Sequence, residues 1–290
     1  MTRLANKIGI VTRRVGGDAL GQRSTVGRRY SIPAPNKGWN TRDTWATMKE
    51  EYAIQLDNYF PEVGSVRLRR GTRTHQKGMG SDHVETLIPH ESTTPKLFAA
   101  ANDRIYDITV LGEPPTQVHS GTTSNYWQYA TFQGNTICVN GEDDPFRINP
   151  DGTFVADTEL TGETATDVAL DISTLTYILP FKGRLLFLEK NSTRLWFLPT
   201  LGAIRGELSR IELGRVQTGG GHIVNFGTLT LDSGSGVDDL LCVFFSTGAV
   251  LVYEGTDPGS ATDWSLVGVW HIGRLVGSKP LVSSAVILLP

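Results

Sequence analysis

Three adjacent carboxylates, Glu142, Asp143 and Asp144, are the first residues whose type could support chemistry, because calcium and magnesium bind carboxylate oxygens. Gly141 before them and Pro145 after them indicate a turn. Carboxylates of neighbouring residues in a turn or strand point apart and converge on one ion only with further ligands. The sequence therefore predicts a solvated turn here and not a metal site.

A second acidic segment, from Asp232 to Asp239, has a spacing similar to that of a calcium-binding loop. It lacks oxygen ligands at alternate positions followed by a terminal Glu. We expect an ordinary loop between two strands at this position.

Residues of acid–base and metal chemistry are sparse elsewhere. None of the six histidines is paired at metal-ligand spacing; they are His75, His83, His90, His119, His222 and His271. No Cys-x-x-Cys, His-Glu-x-x-His or phosphate-binding glycine loop with Lys-Ser/Thr occurs. We therefore expect no catalytic residue, no metal and no cofactor, and we expect that the protein is not an enzyme.

The aromatic cluster of Tyr126, Trp127 and Tyr129 could stack on a sugar ring. This cluster supports an alternative function, a carbohydrate-binding or receptor-recognising propeller of a virion. Alternation of aromatic residues in a strand more often places them in a core, and the sequence favours that interpretation.

Four arginines, Arg67, Arg69, Arg70 and Arg73, lie on or just after an alternating segment that begins at Val66. The period of two predicts a strand with arginine on one face. These arginines could bind DNA phosphates, but the interleaved aromatic residues of a single-strand platform are missing. Docking on carboxylates of a neighbouring subunit also explains them, and the sequence favours that interpretation over DNA binding.

The charge is divided unevenly along the chain. Residues 1–79 contain 15 basic and six acidic residues, a net +9, and the remaining 12 basic and 24 acidic residues give −12. Residues 1–38, rich in Arg, Gly and Pro, are predicted to form an extended basic arm. We expect Arg13, Arg14, Arg28 and Arg29 to dock on a partner; the alternative is that the arm neutralises its own acidic domain.

Residues 39–79 are predicted to form a docking segment, a helix followed by the Arg-rich strand. The helix is expected over 40–58, because Trp45, Met48 and Tyr52 recur at helical spacing and Thr44 can cap its start.

Residues 80–290 contain repeated strand–turn–strand patterns with turn centres near 102, 134, 183 and 248. The irregular period favours a mostly β, β-propeller-like domain of short hairpin blades; a jelly roll or irregular sandwich is the alternative. Ser283 to Leu289 resembles the first strand of a further hairpin. We expect the domain to be incomplete at its C-terminus, so that the sequence is part of a longer product or a truncated reading frame.

Cys138 and Cys242 lie in apolar, strand-like runs and are predicted to be buried free thiols. No apolar run approaches the roughly 20 residues needed to cross a bilayer, so we expect no membrane insertion by the chain itself.

Two stretches carry a resemblance to a known family. The first includes Trp39, Asp57, Asn58, Pro61 and Gly71, within Pro-Asn-Lys-Gly-Trp-Asn and Ala-Ile-Gln-Leu-Asp-Asn-Tyr-Phe-Pro-Glu-Val-Gly-Ser-Val-Arg-Leu-Arg-Arg-Gly. It resembles the opening of tail tubular (nozzle, DNA-stabilisation) proteins of short-tailed bacteriophages and prophages.

The second stretch is similar to the blade sequence of the same proteins, in which a Tyr-x-Gly-Thr-Asp-Pro loop precedes a Trp and an Ile-Gly pair. It includes Gly255, Asp257, Pro258, Trp264 and Gly273. The two stretches cover about a fifth of the chain and stand in the order found in the family.

This resemblance implies a structural tail protein that forms a hexameric ring below the portal and adaptor, through which double-stranded DNA passes and is retained. Its partners would be copies of itself, the portal or adaptor and other tail proteins. It would be made in the cytoplasm of the host bacterium and reside in the virion tail.

Overall fold

The structure, a computed structural model, describes residues 31–80, 83–163, 169–232 and 237–273. The chain divides into two compact units, Met1–Arg73 and Thr74–Pro290. Within the described residues there is no α-helix, and the helices are two single 3-10 turns, Ile172–Thr174 and Leu213–Arg215. Nearly all regular structure is therefore β.

The first unit contains one two-stranded antiparallel hairpin, β1 (Tyr59–Glu62) and β2 (Ser65–Leu68). Val63 and Gly64 form the connecting turn, and Gly64 has the positive φ of 76° that such a turn requires. The Arg-rich strand predicted from the alternation at Val66 is β2. Residues 1–30, which include most of the predicted arm with Arg13, Arg14, Arg28 and Arg29, lie outside the described residues.

The helix predicted over 40–58 is wrong. Thr44 begins only one turn, in which its carbonyl accepts from the N–H groups of Thr47 and Met48. Trp45 is 80% exposed, so the helical face has no core to pack against, and packing supplies most of the stability of a short helix. A parallel bridge between Trp39 and Ala53 closes the segment into a loop instead.

The second unit contains four four-stranded antiparallel sheets. Their strands are β3 (Thr86–His90), β4 (Lys96–Ala101), β5 (Arg104–Asp107) and β6 (Thr116–Ser120) in the first sheet; β7 (Gln128–Phe132), β8 (Asn135–Val139), β9 (Phe146–Ile148) and β10 (Phe154–Val155) in the second; β12 (Leu175–Phe181), β13 (Arg184–Glu189), β14 (Arg194–Phe197) and β16 (Ser209–Glu212) in the third; and β17 (Ile223–Asp232), β18 (Val237–Phe245), β19 (Ala249–Glu254) and β20 (Ser265–His271) in the fourth. A short parallel pair, β11 (Leu160–Thr161) with β15 (Gly206–Glu207), joins the loops around the third sheet.

Successive sheets pack face to face. Phe98 of the first sheet packs with Cys138 of the second, Ile137 of the second with Phe187 of the third, and Phe197 of the third with Phe226 of the fourth. The third sheet is apolar on both faces because it lies between two others, and this explains the continuous apolar run in β13. The edge strand β12 lies beside β7 and β17, the first strands of the neighbouring sheets. The predicted mostly β, β-propeller-like fold of short hairpin blades is confirmed.

The four predicted hairpins are also confirmed, as β4–β5, β7–β8, β12–β13 and β18–β19. Cys138 and Cys242 are buried free thiols, as predicted. Burial raises the pKa of the Cys242 thiol to about 11. The predicted strand at 283–289 lies outside the described residues.

Candidate functional site

The β1–β2 hairpin has two different faces. Tyr59 lies opposite Leu68, and Pro61 opposite Val66, so one face is entirely apolar. The other face pairs Phe60 with Arg67 and Glu62 with Ser65. Tyr59 is 48% exposed and Leu68 is 59% exposed, so the apolar face is open to solvent.

Among the predicted docking arginines that the structure describes, Arg67 is the one whose guanidinium already forms an ion pair. Its guanidinium forms an ion pair with Glu62 at 2.5 Å and lies 5.6 Å from the centre of the Phe60 ring. Arg69, Arg70 and Arg73 are exposed and have no side-chain partner among the described residues. These three arginines are therefore the ones of residues 67–73 that are free to bind an acidic partner. Their docking role stays a prediction.

The other residues of the first family-like stretch organise the loop before the hairpin. The indole N–H of Trp39 donates to the carbonyl of Ile54 at 2.9 Å. The side chain of Asp57 accepts from Gln55, and Asn58 adopts a left-handed φ of 60° at the entry to β1. Gly71 has no heavy atom within 4 Å of the place where a Cβ would stand, so nothing in the structure explains why glycine occurs there.

The second family-like stretch forms a closed loop between β19 and β20. Asp263 accepts hydrogen bonds from the hydroxyl and N–H of Thr256 and from the N–H of Asp257, at 2.7–2.8 Å. These hydrogen bonds hold the pKa of Asp263 below its usual value, the Thr256 side chain having the largest effect. Gly255 has a φ of +119°, and a Cβ there would stand 2.0 Å from the carbonyl oxygen of Asp263, so only glycine fits.

The loop also joins the fourth sheet to the third. Arg184 at the start of β13 donates to Asp257 at 2.9 Å and to the carbonyl of Thr256 at 3.2 Å. Arg184 is only 9% exposed, which strengthens its attraction to the carboxylate. Pro258 is buried within the loop, whereas Gly273 is exposed with a φ of 90°.

Trp264 supplies the apolar part of the same junction. Its ring stacks on Tyr253 with centroids 5.4 Å apart and meets Phe181 of the third sheet edge to face at 6.1 Å. The sequence marks Asp257 and Trp264, but it does not mark Arg184 as the partner of Asp257. Arg184 and Asp257 are 73 residues apart, and no local pattern connects them.

The acidic turn at 142–144 contributes to the junctions between the first three sheets. Asp143 accepts from the N–H groups of Thr123 and Ser124 and from the side chain of Asn140. Lys190, after β13, forms an ion pair with Glu142. The described residues contain no group of three or more His, Cys, Asp or Glu side chains suited to a metal ion.

Two further predicted positions have clear surroundings. Trp127 is 3% exposed and packs edge to face on Phe146 at 4.6 Å, so it belongs to the core, while Tyr126 and Tyr129 are 49% and 39% exposed. Asp232 pairs with Val237 at the end of the β17–β18 hairpin, and residues 233–236 lie outside the described residues. No helix in the described residues is long and apolar enough to cross a membrane.

Comparison with known proteins identifies no relative by sequence: neither a protein-family model nor a curated protein matches. Among solved structures, the chain is similar to the crystal structure of BBS1N in complex with ARL6DN, soaked with lead. Identity is 14% and the TM-score is 0.28, over 71% of this chain and 74% of that chain. A likeness this distant carries no argument about function.

Proposed function

We propose that the protein is a structural subunit of the tail of a short-tailed bacteriophage, of the tubular or nozzle type. It forms a hexameric ring below the portal and adaptor, conducts double-stranded DNA and helps to retain the genome. Its role is structural and not catalytic, and it resides in the virion after synthesis in the host cytoplasm.

One observation carries this proposal. The two stretches that resemble the tail tubular family stand in the family's order, and the second forms the junction between the third and fourth sheets. Gly255, Asp257 and Trp264 each have a definite structural role there. The motif thus supports a role in building a propeller-like array, as a structural tail protein requires.

The charge distribution supports the conduit role. Residues 80–290 carry a net −12, and a wall of like charge discourages DNA from adhering, because each phosphate contact strengthens binding and slows transit. The basic residues 1–79 supply the opposite charge for docking on a neighbour.

The test is the solution mass of the purified chain with negative-stain images. We expect a ring of six copies with a central hole and weak, salt-sensitive binding of duplex DNA. A chain that stays monomeric at every concentration, forms no ring with portal and adaptor complexes and binds glycans would contradict the proposal and favour carbohydrate recognition. A chain lacking residues 1–30 tests the arm; rings that still form and bind the portal would remove its docking role.

A further inference from the structure

Every sheet in the described part of the chain has two edge strands with no strand paired to their outer side, and two of these edges carry mostly exposed residues along their length. One is β2 in the first unit, and the other is β20 at the edge of the fourth sheet. Exposed edges present unpaired backbone N–H and C=O groups and invite pairing with another chain. Natural proteins usually protect such edges with Lys, Pro or bulges, so the residues of each edge show whether it is open.

In the β1–β2 hairpin, the outer edge of β2 is available for pairing with a further strand, whereas the outer edge of β1 is blocked. The N–H of Arg69 donates to the carbonyl of Asn58, so Asn58 and Arg69 form a hydrogen-bonded pair. Hydrogen-bonded and non-hydrogen-bonded pairs alternate along an antiparallel ladder, and the register therefore makes Pro61–Val66 a non-hydrogen-bonded pair. The ring nitrogen of Pro61 therefore faces the outer side of β1, where it offers no donor. On β2, the N–H and C=O groups of Val66 and Leu68 face outward.

The edge of β20 is open over its second half. The N–H of Ile272 donates to the carbonyl of Gly248, so the backbone groups of Ile272 face β19. Because the direction of these groups alternates from residue to residue along a strand, the N–H and C=O groups of Val269 and His271 face away from β19. A bulge at Val267 interrupts the first half. No Lys or Pro protects this edge.

Both edges are flanked by exposed apolar side chains. Beside β2 these are Tyr59 and Leu68, together with Val63 at the turn; beside β20, Val269 is 39% exposed and Ile272 is 47% exposed. An isolated two-stranded hairpin is marginally stable in water, so β1–β2 gains from a strand added at its open edge.

We propose that β2 of one copy of this chain adds to the outer edge of β20 of a second copy. Val66 and Leu68 then pair with Val269 and His271, and the apolar face of the hairpin continues the face of β20 that carries Val269. Charge selects a second copy as the occupant, since residues 1–79 carry +9 and the remainder carries −12. The inference rests on the proposed assembly into a ring.

This contact joins different surfaces of the two copies. A heterologous contact of this kind closes into a ring when its rotation permits, which an isologous contact cannot do beyond a dimer. The contact therefore supplies the geometry that the proposed assembly requires.

The first experiment compares two full-length variants, L68K and L201K, by sedimentation velocity over a wide range of concentrations. Leu68 and Leu201 are 59% and 66% exposed, so the two substitutions are matched in type and exposure. We expect association at least about tenfold weaker in L68K, and unchanged in L201K. Equal association of L68K and wild type would overturn the proposal.

The second experiment does not depend on how well L68K folds. Chains carrying V66C or L68C are mixed with chains carrying V269C and are oxidised; the natural thiols Cys138 and Cys242 are buried. We expect a disulfide between the two kinds of chain, and none when V269C is replaced by L201C. Absence of the cross-link, or equal cross-linking to L201C, would contradict the pairing.

The two proposals fail in different ways. Rings that persist in L68K without the cross-link would overturn this contact and leave the tail function intact. A specific cross-link in assemblies that are open, or that have no central hole, would support the contact and contradict the conduit.

Discussion

The hairpins β1–β2 and β12–β13 use the same local chemistry in opposite surroundings. Each closes through two residues, Val63–Gly64 and Lys182–Gly183, whose glycine has a positive φ. In β13, five of six residues are buried between sheets, whereas no residue of β1 or β2 is buried. The difference teaches that turn residues determine where a hairpin forms, while burial determines whether it stabilises the fold or stays available for a partner.

The comparison is tested most strongly by removing a phenylalanine from each hairpin. Phe187 in β13 is fully buried, and we expect F187A to lower the free energy of unfolding by about 3–5 kcal/mol. Phe60 in β1 is 49% exposed, and F60A should cost about 1 kcal/mol or less. Urea unfolding followed by circular dichroism measures both. Equal losses would show that a partner buries the hairpin in solution.

The second test changes a glycine in each region. In G255A the new Cβ meets the carbonyl oxygen of Asp263, so we expect the loop to detach at a cost of about 3 kcal/mol. Gly64 has no neighbour within 4 Å, so G64A should cost only about 1 kcal/mol, for its left-handed φ. Limited proteolysis within 255–264 provides a direct measure. Protection of that loop in G255A would show that Asp263 can move aside.

These positions also show how far the sequence predicts the structure. Asn102-Asp103 and Lys182-Gly183 indicate turns by residue type, and the structure gives all four a positive φ, so the hairpins could be located. The helix at 40–58 could not be rejected, because its spacing is helical and only the missing core excludes it. Burial is a property of the assembled sheets and not of the segment.

The candidate site was predictable only in part. Gly255, Asp257 and Trp264 were marked by the resemblance, but the contact of Asp257 with Arg184 joins two sheets across a long separation in sequence. The exposure of the β2 and β20 edges follows from strand order and register, which the alternation of residue types does not determine. The location of hairpins was therefore predictable, and their edges were not.

A third, smaller effect distinguishes the ion pairs of the two regions. Arg184 is mostly buried and donates to both Asp257 and the carbonyl of Thr256, so R184Q should lower the free energy of unfolding by about 1–2 kcal/mol. The Arg67–Glu62 pair is about half exposed, and R67Q should cost less than about 1 kcal/mol. Thermal unfolding in low and high salt tests the difference. A larger loss in R67Q than in R184Q, or a loss in R184Q that depends more strongly on salt than the loss in R67Q, would reverse the comparison.

The smallest effect concerns pH and only the second unit, because residues 1–73 contain no histidine. His90 at the end of β3 is 1% exposed and bonds through Nδ1 to the hydroxyl of Thr136 on β8 at 2.9 Å, so it links the first two sheets. Burial lowers its pKa, against the weaker opposing effects of the carbonyls of Asn149 and Pro150 and the carboxylate of Asp151.

The folded protein thus prefers neutral His90, while the unfolded chain takes up a proton near the ordinary pKa of about 6.5. Stability from this residue is complete above that pH and falls as the pH drops through it towards the lower pKa of the folded state. We expect H90Q to flatten this part of the pH profile, measured by urea unfolding between neutral and mildly acidic pH. H119Q is the matched control, since His119 lies on β6 of the same sheet and is partly exposed. A profile that H90Q leaves unchanged would show that the link between β3 and β8 does not depend on a neutral imidazole.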